Sequence, residues 1–531
     1  MEGQPAVAGM TLRKLAEYAK GAIPEKVLAA INTELGKIEL DREETAEEMA
    51  EQLINQPLTK EALTVKQYKF RRDGDKMVYN IDMRISRILE KDQAAAVIDR
   101  FLPGMRAKVE GQPAVAGMTL RKLAEYAKGA IPEKVLAAIN TELGKIELDR
   151  EETAEEMAEQ LINQPLTKEA AEQISVGEQT AIYPGRPWRD KSGKRIQAHG
   201  GALFYEDGTY YWYGENKDRT DGKCSIWTWG IRAYASKDLY NWEDKGLIIQ
   251  PNLMNLQSNL HPTMRVDRPH ILKCENTKKY VCWIKLSGEE ACFVILQADT
   301  FLGPYEVVVE NYRPFEKRVG DFDVIKEEES GKAYLFMDAD HEGIIGLELS
   351  EDFLRVVREV SRQYTGLHAP FCREAVALFE RSGKKYMLTS GMSGYIPNKS
   401  DAAVSDSWIS GFVSIGNPHP EDGTNSSYNS QISQIFKVPG KKDLYISIAD
   451  RWVPGYPVDA AKADMIERAI AAHYEPERYQ VGPEEKKALM DSPMLASANT
   501  SIADYVWLPL EFDGEKVFIK WQDEWRLEDY E

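Results

Sequence analysis

The stretch EDGTYYWY, residues 206–213, joins a tight polar turn to a run of aromatic side chains. Gly208 suits a hairpin turn, and consecutive aromatic residues favour a strand. The same order of polar or glycine-containing turn, tyrosine and apolar run returns at 276–283, 330–336, 382–388 and 440–448. Each unit follows another short apolar run, which predicts a β-hairpin in every case.

The tyrosines of these five units recur about every 50–70 residues, close to a propeller blade of roughly 40–50 residues with room for loops. The sequence therefore predicts a mainly β fold, a five-bladed β-propeller, whose innermost strands converge on one axial mouth. A β-sandwich of similar strand content is the alternative. The segment 458–490 breaks the strand pattern. Asp459 as an N-cap, with Ala463, Ile466 and Ile470 on one face, predicts a helical insertion there.

The chain changes composition near residue 171. Before it, Ala, Glu, Lys and Leu dominate and tryptophan is absent, which favours helix. We therefore predict an α-helical region over 1–171 and the propeller over 172–531, with its insertion at about 458–490. Residues 2–62 reappear unchanged as 110–170. An identity this complete indicates a recent duplication, an artificial sequence or an error in sequence assembly. We therefore place the function in the propeller. An assembly or regulatory role for the helical region is the alternative.

The bulk properties exclude several classes of protein. The 531 residues carry a net charge of −19, which argues against non-specific binding to nucleic acid or to anionic membranes. No stretch approaches the roughly 20 apolar residues of a membrane span. Residues 1–5 show no basic segment leading into an apolar run, and the five cysteines form no CxxC pair. We therefore expect a cytoplasmic location without structural disulfides, and the oligomeric state is left open.

Five short motifs follow one another in the order of the predicted blades. They are Arg195–Gly201 with Tyr210–Lys217, Val266–His270, Gly320–Asp323, Arg373–Ala375 with Thr389–Gly391, and Asn429–Gln431. The set resembles glycoside hydrolase family 43, in the branch of exo-β-1,3-galactanases and related arabinofuranosidases, over about 180–531. The resemblance implies an inverting, exo-acting glycosidase that releases galactose or arabinose from galactan- or arabinogalactan-type oligosaccharides or polysaccharides. A non-catalytic carbohydrate-binding propeller is the alternative.

Glycoside hydrolysis needs a proton donor for the leaving oxygen and an activated water or nucleophile on the other face of the sugar. Glu374 begins the apolar run 375–379, and apolar surroundings raise a carboxyl pKa towards that of a general acid. The resemblance assigns the general acid to Glu374 and the task of holding or tuning it to Asp267. The alternatives are a surface salt bridge between Glu374 and Arg373 and a pair between Asp267 and Arg268.

The general base departs from the usual family pattern. Most members place an aspartate at the opening of the first blade, whereas residues 197–201 here contain no carboxylate. In the galactanase-like branch a glutamine of the fifth blade positions the water, as its imidic tautomer, and Gln431 matches that place. Asp321 and Asp323 are alternative bases, since alternate residues of a strand face the same way. His199 is a third.

Substrate contacts are expected where aromatic rings and polar groups surround the mouth. The predicted contacts are His199, Glu215, Asn216, Trp212, Asp321, Asp323 and Arg451, with Tyr213, Trp229, Tyr395 and Trp452 as further candidates for an aromatic platform. Inversion requires the acid and the base to lie about 6.5–9.5 Å apart. No organic cofactor is implied. Some relatives hold a metal in the propeller channel, but the sequence has no diagnostic ligand spacing for one.

Overall fold

The computed structural model describes residues 79–83, 85–106, 119–126, 131–146, 154–222, 224–288, 290–456, 459–492 and 498–531. The chain divides into two compact units, 1–75 and 76–531, and every described residue belongs to the second. The first copy of the duplicated segment, 2–62, lies outside the described residues. The predicted domain boundary at residue 171 stays a prediction.

Helices precede the propeller, as predicted. In the described ranges they are α1 (Ile85–Glu90), α2 (Asp92–Phe101), α3 (Leu120–Tyr126), α4 (Glu133–Leu143), α5 (Ala154–Asn163) and α6 (Lys168–Ala171). Ile88, Ile98 and Ile139 are fully buried in one apolar cluster of this region. None of the helices described in the chain is long and apolar enough to span a membrane.

The strands form five antiparallel sheets, one for each predicted hairpin unit. The first blade contains β1 (His199–Glu206), β2 (Thr209–Glu215), β3 (Ile231–Ser236) and β4 (Glu243–Ile249). The second contains β5 (Val266–Lys273), β6 (Tyr280–Leu286), β7 (Cys292–Ala298) and β8 (Glu306–Tyr312). The third contains β9 (Val319–Lys326), β10 (Ala333–Ala339), β11 (Gly343–Leu349) and β12 (Val356–Gln363).

The fourth blade contains β13 (Arg373–Arg381), β14 (Lys384–Gly391), β15 (Asp401–Ser405) and β16 (Val413–Gly416). The fifth contains β17 (Gln431–Lys437), β18 (Tyr445–Arg451), β20 (Leu508–Asp513) and β21 (Lys516–Ile519), and β19 (Asp504–Tyr505) pairs with β18. Strand β6 is buried along its whole length, whereas the outer strand β8 alternates between exposed and half-buried residues. The five-bladed propeller is confirmed, and the β-sandwich is not what forms.

The helical insertion is also confirmed. It consists of α7 (Ala460–Tyr474) and α8 (Pro483–Met490), between the second strand of the fifth blade and its outer strands. The carboxylate of Asp459 accepts a hydrogen bond from the backbone N–H of Lys462 at 2.8 Å, which caps α7 as predicted. Ile466 and Ile470 bury their side chains in a cluster with Ile396 and Cys372, so the insertion packs on the fourth blade.

The ring closes where the two ends of the propeller sequence meet. Ile182 and Trp525 form a bridge of two backbone hydrogen bonds, of 2.9 and 3.1 Å. The indole of Trp525 is buried in one cluster with Trp212 and Trp507, which belong to opposite ends of the propeller sequence. Arg195, just before β1, forms a buried salt bridge with Asp504 of β19. Closure therefore joins the first blade to the fifth.

The innermost strand of every blade is irregular near its first residues. The pairing shifts register within 199–202, 267–270, 319–322, 374–377 and 432–434. A β-bulge inserts an extra residue and re-aims the side chains around it. Because all five bulges lie at the beginning of an innermost strand, they meet at one end of the ring. That end, with the loops that follow β2, β6, β10, β14 and β18, is called the mouth below.

Candidate active site

Glu374 lies at the mouth, at the start of the innermost strand of the fourth blade. Ala375, the next residue, has a φ of +52°, and this bulge sets the carboxylate out of the regular alternation. Burial, strengthened by the negative charges of Asp321 and Asp338, raises the pKa of Glu374 to about 8. Arg373 donates instead to Thr389 and to the carbonyl of Lys399. The predicted alternative, a salt bridge with Arg373, is therefore absent here.

Arg268 crosses the centre of the ring. Its guanidinium forms a 2.9 Å salt bridge with Asp321 of the third blade. It also donates to the side-chain oxygen of Gln431 at 2.9 Å and to the carbonyl of Ile432 at 3.1 Å, both in the fifth blade. Because one side chain of the second blade reaches both these blades, Arg268 ties the channel together. The alternative pairing with Asp267 does not form.

Gln431 is held at both ends of its amide. Its oxygen accepts hydrogen bonds from Arg268 and, at 3.1 Å, from the indole N–H of Trp452. Its nitrogen donates to Glu374 at 3.3 Å and to the hydroxyl of Ser390 at 3.2 Å. The structure thus brings two of the three predicted catalytic residues, Glu374 and Gln431, into direct contact.

Asp267, the third predicted catalytic residue, begins the innermost strand of the second blade. One carboxylate oxygen accepts the indole N–H of Trp227 at 2.6 Å, and the other accepts the hydroxyl of Ser287. The ammonium of Lys285 lies 3.8 Å from Asp267 and 2.5 Å from Asp321. Lys285 therefore links Asp267 to the carboxylate that raises the pKa of Glu374.

Asp321 and Asp323 occupy different environments. Burial alone would raise the pKa of Asp321, but the cations of Arg268 and Lys285 hold it below its usual range. Asp323 instead accepts the backbone N–H of Leu378 at 2.8 Å and contacts a buried histidine, His270, at 3.2 Å. Burial raises the pKa of Asp323 to about 7. Asp321 faces the mouth, whereas Asp323 joins the third blade to the fourth.

His199 is fully buried beneath the mouth. Its Nδ1 contacts Asp450 at 3.1 Å, and its Nε2 contacts the side-chain oxygen of Gln197 at 3.1 Å. Its ring stacks on Tyr505, with centroids 5.0 Å apart. Burial lowers the pKa of His199. The structure thus places this predicted substrate contact and alternative base in a hydrogen-bonded layer below the surface.

Glu215 and Asn216, two predicted substrate contacts, are also buried. Glu215 pairs with Lys217 at 2.7 Å and accepts the backbone N–H of Arg268 at 2.9 Å. Burial raises the pKa of Glu215 to about 7, against the opposing charge of Lys217. The side chain of Asn216 donates to the carbonyl of Trp229 at 3.3 Å. Both residues shape the loop after β2 from inside.

Trp212 and Arg451, also predicted to contact substrate, serve packing and loop anchoring in the structure. Trp212 is 1% exposed and belongs to the apolar cluster that closes the ring. Arg451 donates to the carbonyl oxygens of Asn429, Gly185 and Tyr428. Neither side chain contacts Glu374, so the structure does not place these two predicted residues beside the proposed acid.

A pocket at the mouth has aromatic walls. Its lining includes Ser390, Tyr395, Asn398, Gln431, Asp450 and Trp452. The rings of Tyr395 and Trp452, two of the predicted platform residues, lie with centroids 5.8 Å apart. Burial, with Asp267 and Glu215 nearby, raises the pKa of Tyr395. Tyr395 and Trp452 therefore flank the acidic centre as a sugar platform would.

Sequence reasoning missed several residues of this centre, chiefly Lys285, Trp227, Asp450 and the channel role of Arg268. Lys285 gave a usable signal, since it is a lone cation within the buried strand YVCWIKL. A cation buried in such a strand needs an anionic partner, which predicts a nearby carboxylate. The bulge at Arg268 left no comparable mark in the sequence.

The centre does not suit a resident cation. In the described part of the chain, no group of three or more His, Cys, Asp or Glu side chains is arranged to hold a metal ion. The channel is instead crossed by the guanidinium of Arg268 and approached by the ammonium of Lys285, which already neutralise Asp321. All five cysteines are free thiols in the structure.

Comparison with known proteins agrees with this geometry. Residues 196–446 match the family model of glycosyl hydrolases family 43. A comparison with curated proteins finds no match. Among solved structures, a family 43 β-1,3-galactosidase is 27% identical with a TM-score of 0.53, covering 66% of this chain and 65% of that one. This chain thus spans 65% of the length of that relative.

Two further structures share the fold. A family 43 β-1,3-galactosidase solved with galactodeoxynojirimycin is 23% identical, with a TM-score of 0.51 over 65% of this chain and 100% of that one. The exo-β-1,3-galactanase of Phanerochaete chrysosporium with β-1,3-galactotriose is 20% identical, with a TM-score of 0.52 over 66% of this chain and 68% of that one. The propeller of this chain therefore resembles glycoside hydrolase family 43 in its five blades and in the family match over four of them and part of the fifth.

Proposed function

We propose that the propeller is an exo-acting, inverting glycosidase that removes galactose from the end of a β-1,3-linked galactan-type glycan. The observation that carries the proposal is the environment of Glu374. A carboxyl group of pKa about 8 keeps its proton at neutral pH and can donate it to a leaving oxygen. The preference for β-1,3-linked galactose follows the 27% identical relative, which is named a β-1,3-galactosidase.

Asp321 takes the tuning role in this proposal. Its negative charge is the strongest charge effect on the pKa of Glu374 and favours the protonated form. Arg268 and Lys285 keep Asp321 itself ionised. The acid is therefore tuned from the third blade, whereas the sequence predicted that Asp267 would do so.

The attacking water is assigned to the side of the sugar opposite Glu374, next to Asp267. The oxygen of Gln431 accepts two hydrogen bonds, so it must release Arg268 or Trp452 before it can accept a proton from water. Asp267 is held by Trp227 and Ser287 and retains exposed surface at the mouth. Inversion requires the base to lie about 6.5–9.5 Å from the acid. The amide of Gln431 contacts Glu374 at 3.3 Å and is too close to be that base in this arrangement, so Asp267 is the candidate for activating the water.

The pocket supports attack at a chain end. Tyr395 lies in the segment 391–398, whose two ends are joined because the side chain of Asn398 bonds both the N–H and the carbonyl of Gly391, each at 2.6 Å. Ile396 of the same segment packs against the helical insertion, at Ile466 and Ile470. A wall supported in this way closes one side of the mouth, which suits a terminal sugar. Release of arabinose, a cytoplasmic location and activity without a cofactor stay predictions from the sequence.

The variant Glu374→Gln tests the assignment. Loss of a general acid should lower kcat on β-1,3-galactobiose by about 10²–10⁴-fold. A dinitrophenyl galactoside should lose far less, because its leaving group departs without a proton. Glu359→Gln, on the outer strand β12, is the matched control and should leave both rates unchanged. Product anomers read by NMR from the wild type report inversion.

Two results would contradict the proposal. An equal effect of Glu374→Gln on both substrates would remove Glu374 from the role of acid. A wild-type protein that binds galacto-oligosaccharides in titration calorimetry without any turnover would instead favour the carbohydrate-binding propeller.

A further inference from the structure

The segment 162–171, which the sequence assigns to the helical region, docks on the first blade. The guanidinium of Arg219 donates to the carbonyl of Ile162, at 2.9 Å, and to that of Gln164. These carbonyls lie at the C-terminal end of α5, where a cation is favourable. The backbone N–H of Thr167 donates to the carbonyl of Asp218 at 2.9 Å. The contact is therefore made with the loop that follows β2.

That loop, residues 216–230, is held together from within. Lys217 is 1% exposed and donates to the carbonyl of Trp227 and to the hydroxyl of Thr228, both at 2.9 Å. The hydroxyl of Thr220 donates to the same carbonyl of Trp227 at 3.1 Å. Arg219 lies over the ring of Trp229 at 4.4 Å. Thr220, the residue after Arg219, thus connects this part of the loop to the backbone of Trp227.

Trp227 connects the loop to the mouth. Its indole N–H donates to Asp267 at 2.6 Å, and its ring is covered by Lys217 at 4.6 Å and by Arg265 at 5.1 Å. An indole held by these two cations directs its single donor at one carboxylate oxygen. The orientation of Asp267 thus depends on where the loop is held.

A second route runs from the same segment to the layer below the mouth. The hydroxyl of Ser501 donates to the hydroxyl of Thr167 at 2.8 Å. The carbonyl of Ser501 accepts from Gln197 at 2.9 Å, and Gln197 contacts His199. Both routes begin in the docked segment and end at residues of the candidate active site.

We propose that residues 162–171 and Arg219 form a positioning element of the active site, which holds loop 216–230 so that Trp227 orients Asp267. The predicted effect on turnover rests on the proposed glycosidase function, whereas the predicted effect on the loop does not. The proposal extends the functional part of the propeller towards the N-terminus to include residue 162, because the docked segment supports a loop of the mouth. Arg219 touches no reacting atom and acts through Trp227.

The test uses the full chain with Arg219→Gln. Arg189→Gln is the matched control, because Arg189 holds Glu172, the residue directly after the docked segment, without a contact to loop 216–230. Hydrogen exchange in 216–230 should become at least tenfold faster in Arg219→Gln and stay unchanged in the control. The kcat on β-1,3-galactobiose should fall about tenfold in Arg219→Gln alone, and Arg219→Lys should restore part of it.

A double-mutant cycle separates positioning from general stability. Trp227→Phe keeps the ring and removes the donor to Asp267, so it should lower kcat as Arg219→Gln does. If both act by one route, the double variant should be no slower than Trp227→Phe. Additive losses, or equal exchange in Arg219→Gln and Arg189→Gln, would overturn the inference. If the wild type has no turnover, the glycosidase proposal fails, and the exchange measurement still decides the docking role.

Discussion

Glu374 and Asp321 show how one carboxylate sets the chemistry of another. Asp321 is ionised because Arg268 and Lys285 lie against it, and its charge then disfavours ionisation of Glu374. The two groups therefore have pKa values on opposite sides of neutrality, as an acid and its charged neighbour require. The protonated state of Glu374 is a property of the cluster and not of its own strand.

Substituting Asp321 should move the pH profile of the proposed glycosidase activity. The alkaline limb of kcat reflects loss of the proton from Glu374, whose pKa is about 8. Asp321→Asn removes a negative charge and leaves two cations unpaired, and both effects lower that pKa. The alkaline limb should therefore shift to lower pH by about one unit or more. Asp443→Asn, which breaks an exposed pair with Arg381, is the control. An unshifted limb would contradict the assignment.

Some of these residue environments could be predicted and others could not. An apolar strand after Glu374 was enough to predict a raised pKa. His199, Glu215 and Asn216 were predicted to contact substrate because they flank the first hairpin, yet their side chains are used by internal partners. Which partner a buried polar group finds depends on distant segments, and a single sequence does not contain that information.

The bulges of the innermost strands carry the site. Regular alternation predicted that Asp321 and Asp323 would face the same way. The bulge opposite Asp338 instead sends Asp321 to the mouth and leaves Asp323 between blades. Local patterns predict where a strand lies, but an extra residue in its pairing depends on the neighbouring strand. The blades were therefore predictable, and the side-chain directions at the mouth were not.

Gly200 provides a test of this backbone geometry. It has a φ of +54°, and a Cβ there would lie 2.5 Å from a carboxylate oxygen of Glu215. Gly208, in the first hairpin turn, also has positive φ but has open space around it. Gly208→Ala should cost about 1 kcal/mol of unfolding free energy, and Gly200→Ala about 1–3 kcal/mol more. Urea unfolding measures both, and equal costs would show that the bulge tolerates a side chain.

The complete ring depends on its closing contacts. Five hairpin units predicted the number of blades, and the composition change predicted the helices before them. The closure through Ile182 and Trp525 was not predicted, because no local pattern marks two strands that meet across the whole propeller. The periodicity of apolar residues identifies individual strands and helices. How the blades are arranged around the propeller axis depends on the twist and shape of each sheet.

Removing the indole of Trp525 should destabilise the whole propeller. The side chain is fully buried among Trp188, Trp507 and Trp212, and its N–H donates to the carbonyl of Trp507 at 2.9 Å. Trp525→Ala should cost about 3–5 kcal/mol of unfolding free energy. Trp521→Ala, at a residue 37% exposed, is the matched control and should cost much less. Similar urea midpoints for the two variants would contradict a closing role.

The distance between the closing residues also bears on biosynthesis. Ile182 and Trp525 are 343 residues apart in the chain. At about 5–20 residues per second, a ribosome needs roughly 20–70 s to make Trp525 after Ile182. During that interval the first blade has no partner on its fifth-blade side, and the apolar surface around Trp212 stays open to the solvent. Nascent chains that carry four finished blades therefore expose the apolar surface that makes an incomplete domain prone to aggregation.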